Sequence, residues 1–415
     1  MKYFALILLI ILAIFSSGDP LFAKDSDWFE GEWFNHQWSP DGEKISCFRK
    51  YYKTDFTDVK NRLYVFNSDG TDKTLVADDT GEESAWSTDS KMLLYGKILK
   101  DKDESISYDI EHSYPIQQLI NYNLTDRAKT YIDLITVDSY LQTFSWILNG
   151  KRIVYRKHNS IYMANVDGSH IEQIVNEKID EFRANYSTGI IVYSLYVGSN
   201  HREIYVLNIE DRKKKKISNC YSGGLWWNSQ GDRIIFEEFE DPQRLLEPDN
   251  KTFLCVIDNT GSNKRKLLDT SDPKRWWNWS PEGRRLVYYN LEILGRRPSF
   301  LYIVDVDTGR SEKIFEFDNV DVRRIKWMPD GQKVIFTDKK KVEGSPYLKI
   351  FLYMLDLNTK KAEEITAPPD FGEFSVSPDG SKIFYYQVKR NMLVVYDLLS
   401  GQFIELTKKA VKSKD

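Results

Sequence analysis

Five histidines (His36, His112, His158, His170 and His201), three cysteines (Cys47, Cys220 and Cys255) and adjacent acids such as Glu82 and Glu83 are the residues with catalytic or metal-binding chemistry. Metal sites need these side chains at paired spacings, and none occurs here. Cys47 and Cys255 sit in the apolar runs KISCF and FLCVI, where a thiol behaves as a small hydrophobe. Adjacent acids (Glu82-Glu83, Asp180-Glu181, Glu237-Glu238) say nothing about the carboxylate separation that acid–base catalysis requires. The stretches VDVDTG (304–309) and NSDGTD (67–72) have oxygen ligands at calcium-like spacing but no distal glutamate, and they read as hairpin turns. P-loop, dinucleotide-binding and zinc-protease motifs are absent. The expectation is no catalytic residue, no metal and no cofactor.

Charge narrows the partners. The chain has 58 Lys and Arg against 62 Asp and Glu, a formal net charge of −4. Nucleic acid is excluded as a general partner, because phosphate binding needs a clustered positive surface. The basic run RKKKK (212–216) could meet an anionic polymer or lipid. It reads better as a turn into an outermost strand, where lysines discourage edge pairing.

What must position these residues is a repeat. QWSPDGEKISCF (from Gln37), AWSTDSKMLLY (from Ala85), SWILNGKRIVY (from Ser145), WWNSQGDRIIF (from Trp226), WNWSPEGRRLVYY (from Trp277), KWMPDGQKVIF (from Lys326) and VSPDGSKIFYY (from Val376) are variants of one phrase. ANYSTGIIVY, from Ala184, is a weaker copy in which Asn185 stands in the tryptophan slot. The markers recur about every 48 residues, within the roughly 40–50 of propeller blades. Each copy reads as strand, tight turn, β-branched strand, a third strand such as RLYVFNSDG or FLYIVDVDTG, and a short polar fourth strand. Four antiparallel strands cannot bury both faces alone, so the blades must stack radially. The sequence predicts an all-β propeller of eight four-stranded blades, or seven if the copy near Asn185 merges with a neighbour. The marker tryptophans become wedges between blades.

The first residues read as a targeting segment. Lys2 precedes an apolar run of 12 residues (4–15), too short for a bilayer span of roughly 20. Cleavage is expected after Ala23, with residues 16–18 as a second position and an uncleaved anchor as the alternative. The expected domains are a signal peptide (1–23), the propeller (24–408) and a basic tail (409–415). The mature chain is expected in the periplasm or outside the cell, with no stable membrane insertion.

The W-S-P-D-G-x-K-I phrase, the I-Y-V-x-D-x-x-G strands and the short L-T endings resemble the WD40-like (PD40) repeats of the TolB family over about residues 30–408. Similar blades occur in prolyl oligopeptidases and oligogalacturonate lyases. The TolB amino-terminal domain is missing, so its role in outer-membrane energisation is not implied. Oligopeptidases need a Gly-x-Ser-x-Gly elbow, and this chain has none. Oligogalacturonate lyases bind a metal on histidines of later blades, whereas all five histidines here precede residue 202. The resemblance implies a non-catalytic scaffold whose partner is another envelope or secreted protein. A lyase-like carbohydrate-active enzyme and a structural component of an envelope assembly are the alternatives.

Connections alternate between the two faces of such a disc. The turns between strands one and two are short, while longer segments (49–61, 97–117 and 238–250) fall on the opposite face. Long loops on a rigid scaffold are where binding concentrates. Their aromatics and charges, with the inter-blade segment before Trp279, make Tyr51, Tyr52, Tyr108, His112, Tyr114, Arg275, Trp276 and Trp277 the expected partner-binding residues.

Overall fold

The computed structural model describes residues 27–100, 115–136, 142–198, 201–220, 224–241, 250–269, 275–290, 299–317, 325–343, 348–365 and 371–407. The expected signal peptide and basic tail lie outside them. The described strands form eight separate antiparallel sheets, each made of four strands consecutive in sequence. We number them blades 1 to 8: residues 28–77, 80–136, 144–175, 179–220, 225–269, 275–317, 325–365 and 371–405. A single turn of 3-10 helix, Val388–Arg390, is the only helix among the described residues.

Pairing between the first two strands shows why the phrase repeats. Trp38 faces Ile45, Trp86 faces Leu93, Trp146 faces Ile153 and Trp227 faces Ile234. Trp279 faces Leu286, Trp327 faces Val334 and Val376 faces Ile383. In blade 4 the residue in this slot is Ala184, opposite Ile191. Asn185, expected in the slot, instead takes the place of the serine that follows the marker in blades 1, 2, 6 and 8. Its Oδ1 accepts the Ser187 and Thr188 N–H groups at 3.0 and 2.9 Å, an Asx turn that starts the hairpin.

The serine of the phrase has a definite task. Ser39 Oγ accepts the Lys44 N–H at 2.9 Å and donates to Asp41 Oδ1 at 2.5 Å. Ser377 does the same with Lys382 and Asp379 at 2.9 and 2.6 Å. The glycine after the aspartate has φ of +74° at Gly42 and +75° at Gly380, conformations costly to other residues. Ser-Pro-Asp-Gly thus closes the hairpin with side-chain as well as backbone bonds.

The hydrophobic core is a ring of interfaces. Eight buried clusters each join two adjacent blades, from blades 1 and 2 (Phe48, Leu63, Trp86, Tyr95) round to blades 7 and 8 (Ile335, Leu352, Phe374, Tyr385). The last cluster sets Phe384, Leu393 and Val395 of blade 8 against Trp33, Ile45 and Phe66 of blade 1. Among the described residues closure rests on this packing and on side-chain bonds such as Asn391 Nδ2 donating to the Gly31 carbonyl at 3.2 Å, with no strand exchanged across the ends of the ring. Lys214–Cys220, which carries most of the basic run, is the outermost strand of blade 4. Lys214 pairs with Glu177 at 2.5 Å, Lys216 with Glu203, and Arg212 with Glu172 at 2.6 Å.

Candidate functional site

The innermost strands carry the marker tryptophans, and four of these form a ladder around the ring. Trp86 Nε1 donates to the Gln37 carbonyl at 3.3 Å, and Trp146 Nε1 to that of Ala85 at 3.0 Å. Trp227 Nε1 donates to the Arg183 carbonyl at 3.2 Å, and Trp327 Nε1 to that of Asn278 at 3.1 Å. Each acceptor is the residue before the slot in the preceding blade. A buried indole thus packs as a wedge and satisfies its one polar atom.

Blades 1 and 6 break the ladder. Trp38 Nε1 and Trp279 Nε1 are both buried with no hydrogen-bond partner, but only the blade 6 break lies in a cavity wall among the described residues. Beside Trp279, Trp226 and Trp277 meet edge-on, with ring centroids 5.2 Å apart and planes at 88°. These three rings and those of Trp227 and Trp327 line a cavity of about 650 Å³. Its wall draws on the innermost strands of blades 4 to 8, so it is the central space of the ring. The first turns of blades 5 to 8 (Ser229, Pro281, Pro329, Pro378), on the short-turn face, also line it, and Gln142 reaches it from the entry to blade 3.

Polar groups are few and specific. Gln142, Arg183, Asn278 and Lys326 reach the same cavity. Gln142 Oε1, like Trp279 Nε1, is buried without a partner. Arg183 is held at 2.8 Å by Glu181, a buried carboxyl whose pKa burial raises and Arg183 lowers. Glu83 accepts the Thr143 N–H at 3.0 Å, and burial pushes its carboxyl up to about 7 against the opposing pull of that bond and of Arg183. Glu83 and Glu181 both stand three residues before the slot, as does Glu373 of blade 8, whose Oε2 lies 4.0 Å from His36 Nδ1 in blade 1. Each reaches the innermost strand of the following blade, where edge N–H groups need acceptors. The arrangement can hold a flat or extended ligand against indole faces, with an acceptor, a donor and a cation at hand.

The residues expected to bind a partner fall in three places. Tyr51 and Tyr52 belong to the second strand of blade 1 (Lys44–Lys53), which pairs with Val59–Asn67 as far as Tyr52 opposite Val59. The 49–61 segment is thus two extended strands and a tight turn rather than a long loop. Tyr51 is core: it is 5% exposed, its hydroxyl bonds Tyr64 at 2.8 Å, and the Arg62 guanidinium lies over its ring at 4.4 Å. Tyr52 points to the other face, stacks on Phe29 at 5.4 Å and bonds Glu32 at 3.0 Å; burial and Glu32 raise its phenol. Tyr108, His112 and Tyr114 lie outside the described residues. Arg275 and Trp276 are on the innermost strand of blade 6, opposite Asn290 and Tyr289. Trp277 is on the same strand and lines the cavity wall. It packs against the blade 5–6 core as a second wedge.

No family model matches the chain. The Tol-Pal system protein TolB of Xanthomonas oryzae pv. oryzae is 32% identical over 68 residues, covering 16% of this chain and 15% of that protein. That of Alcanivorax borkumensis is 32% identical over 84 residues, 20% and 19% of the two chains. The chain thus spans under a fifth of the length of the curated relatives it matches. Its repeat is TolB-like. In fold, dipeptidyl peptidase 4 of Porphyromonas gingivalis is similar with a TM-score of 0.61 at 11% identity, over 92% of this chain and 60% of that one. An oligogalacturonate lyase from Vibrio parahaemolyticus gives 0.51 at 14%, over 90% and 100%. The propeller domain of the Trilobed protease from Pyrococcus furiosus, which has an open velcro topology, gives 0.52 at 14%, over 95% and 100%. Likeness at these identities is one of fold, which proteins of unlike chemistry share.

Two features of the site escaped the sequence reading. The glutamates three residues before the slot recur in blades 2, 4 and 8, and that spacing was visible once the markers were aligned. The gaps in the indole ladder at Trp38 and Trp279 had no sequence signal, because their phrases are among the most complete.

Proposed function

We propose that the protein is an exported, non-catalytic scaffold that binds an extended segment of another envelope or secreted protein in its central cavity. The observation that supports this reading is the pair of unsatisfied groups in the tryptophan-lined wall. A peptide unit supplies an N–H for Gln142 Oε1 and a carbonyl for Trp279 Nε1, while indole faces cover flanking side chains. The first turns in the lining belong to the short-turn face, so this reading differs from the long-loop face expected from loop length. The TolB-like repeat and the apolar run at residues 4–15 agree with an exported protein. Among the described residues no helix is long and apolar enough to cross a membrane.

Five tryptophans in one wall make occupancy visible as a shift in intrinsic fluorescence. The test is a titration with proteins captured from the envelope and extracellular fractions, and in parallel with acidic oligosaccharides. A saturable shift with a captured protein, weakened by Lys326→Glu, is expected. A response to oligosaccharides accompanied by their cleavage would replace this reading with the carbohydrate-active one. Amino-terminal sequencing of the native protein should find a start near Lys24 or Asp19, and an intact Met1 in cytoplasm would overturn export.

A further inference from the structure

A second polar site lies beside the cavity. The turn between the third and fourth strands of blade 6 brings Asp307 to three guanidiniums, two from blade 5 (Arg233 and Arg265) and one from the first turn of blade 6 (Arg284). Arg233 Nη2 is 2.6 Å from Asp307 Oδ1, Arg265 Nη2 is 3.7 Å from the same oxygen, and Arg284 Nη1 is 3.6 Å from Oδ2. Arg233 Nη1 and Arg265 Nε are buried and lack any hydrogen-bond partner. Nearby acids are already engaged: Glu282 is bound to Arg285 at 2.6 Å, and Asp232 Oδ1 accepts from Asn228 Nδ2 at 2.6 Å. Arg233 and Arg284 line a pocket of about 320 Å³ between the first turns of blades 5 and 6, whose wall also holds the engaged acids Asp232 and Glu282.

Three cations around one carboxylate repel one another, and buried guanidinium N–H groups demand acceptors. We propose that this pocket is an oxyanion site, in which a carboxylate or a phosphoryl group bridges Arg233 and Arg284 in competition with Asp307, which Arg265 also holds. The planar guanidinium fork suits both groups. The hairpins that separate this pocket from the tryptophan cavity are tied by Asn228 Nδ2 donating to the Gly283 carbonyl at 3.2 Å. A partner's acidic side chain could therefore be read there next to a segment in the cavity, yet the site does not depend on what the cavity binds.

The probes are inorganic phosphate and acetate, titrated into the full chain at constant ionic strength with chloride as control, and followed by calorimetry and melting temperature. At least one should bind saturably. Phosphate preference identifies a phosphoryl ligand, and equal or better acetate binding identifies a carboxylate. Arg284→Gln, at a side chain 71% exposed, should weaken binding about tenfold without lowering the melting temperature of the unliganded protein. Asp307→Asn removes the competing carboxylate and should tighten binding about tenfold. Absence of saturable binding to either anion, or equal binding by wild type and Arg284→Gln, would overturn the proposal.

Discussion

The interfaces between blades 2 and 3 and between blades 5 and 6 are built from the same phrase and finish differently. At the first, Trp146 is 2% exposed, its indole bonds Ala85, and Glu83 ties the two innermost strands through Thr143. At the second, Trp279 has an unsatisfied indole and faces a cavity shared with Trp226 and Trp277. One residue type at one position is a satisfied wedge in the former and part of a binding wall in the latter. What separates them is whether the preceding blade presents a carbonyl to the indole.

This contrast should be largest in stability. Trp146→Ala is expected to cost about 3–5 kcal/mol in denaturant unfolding, as for a buried large aromatic, whereas Trp279→Ala should cost about half as much. Equal losses at the two positions would erase the distinction.

The Glu83 tie should appear in pH dependence. Its folded pKa of about 7 lies above the ordinary 4.5, so the fold favours the protonated carboxyl. That contribution is complete below about pH 4.5 and is lost as pH rises through 7, on the order of 2–3 kcal/mol. Comparing unfolding at pH 5 and pH 8, Glu83→Gln should flatten this part of the profile. A wild type and variant with parallel profiles would show that Glu83 titrates normally.

A finer comparison isolates the indole hydrogen bond. Trp146→Phe leaves the Ala85 carbonyl without its donor and should cost about 1–2 kcal/mol more than Trp279→Phe, whose indole has no bond to lose. The smallest stability effect belongs to Lys326→Glu, an exposed change in the cavity wall, at within about 0.5 kcal/mol. Its signature is lost partner binding at unchanged melting temperature.

Much of the fold was legible because each blade must solve the same local problem. Ser-Pro-Asp-Gly turns, period-two strands and spaced tryptophans were enough for eight four-stranded blades and for wedges between them. Blade 4 was legible except in phase: the hydrophobic partner Ile191 selects Ala184 for the slot, and a pattern without tryptophan could not show that. The site was less legible. Segment 49–61 has the length of a loop, but strand pairing absorbs most of it, and its neighbour strand Trp28–Trp38 takes up the hydrogen bonds.

The sequence by itself determined the blade plan, the turn chemistry and the aromatic supply, because these depend on residues within a few positions of one another. Tertiary structure alone decided which tryptophans are satisfied, which line the cavity, and that Asp307 meets three arginines. Those outcomes depend on neighbours from different blades or from separate turns of one blade, roughly twenty to seventy residues apart in the chain, and no local pattern encodes which groups ring closure brings face to face.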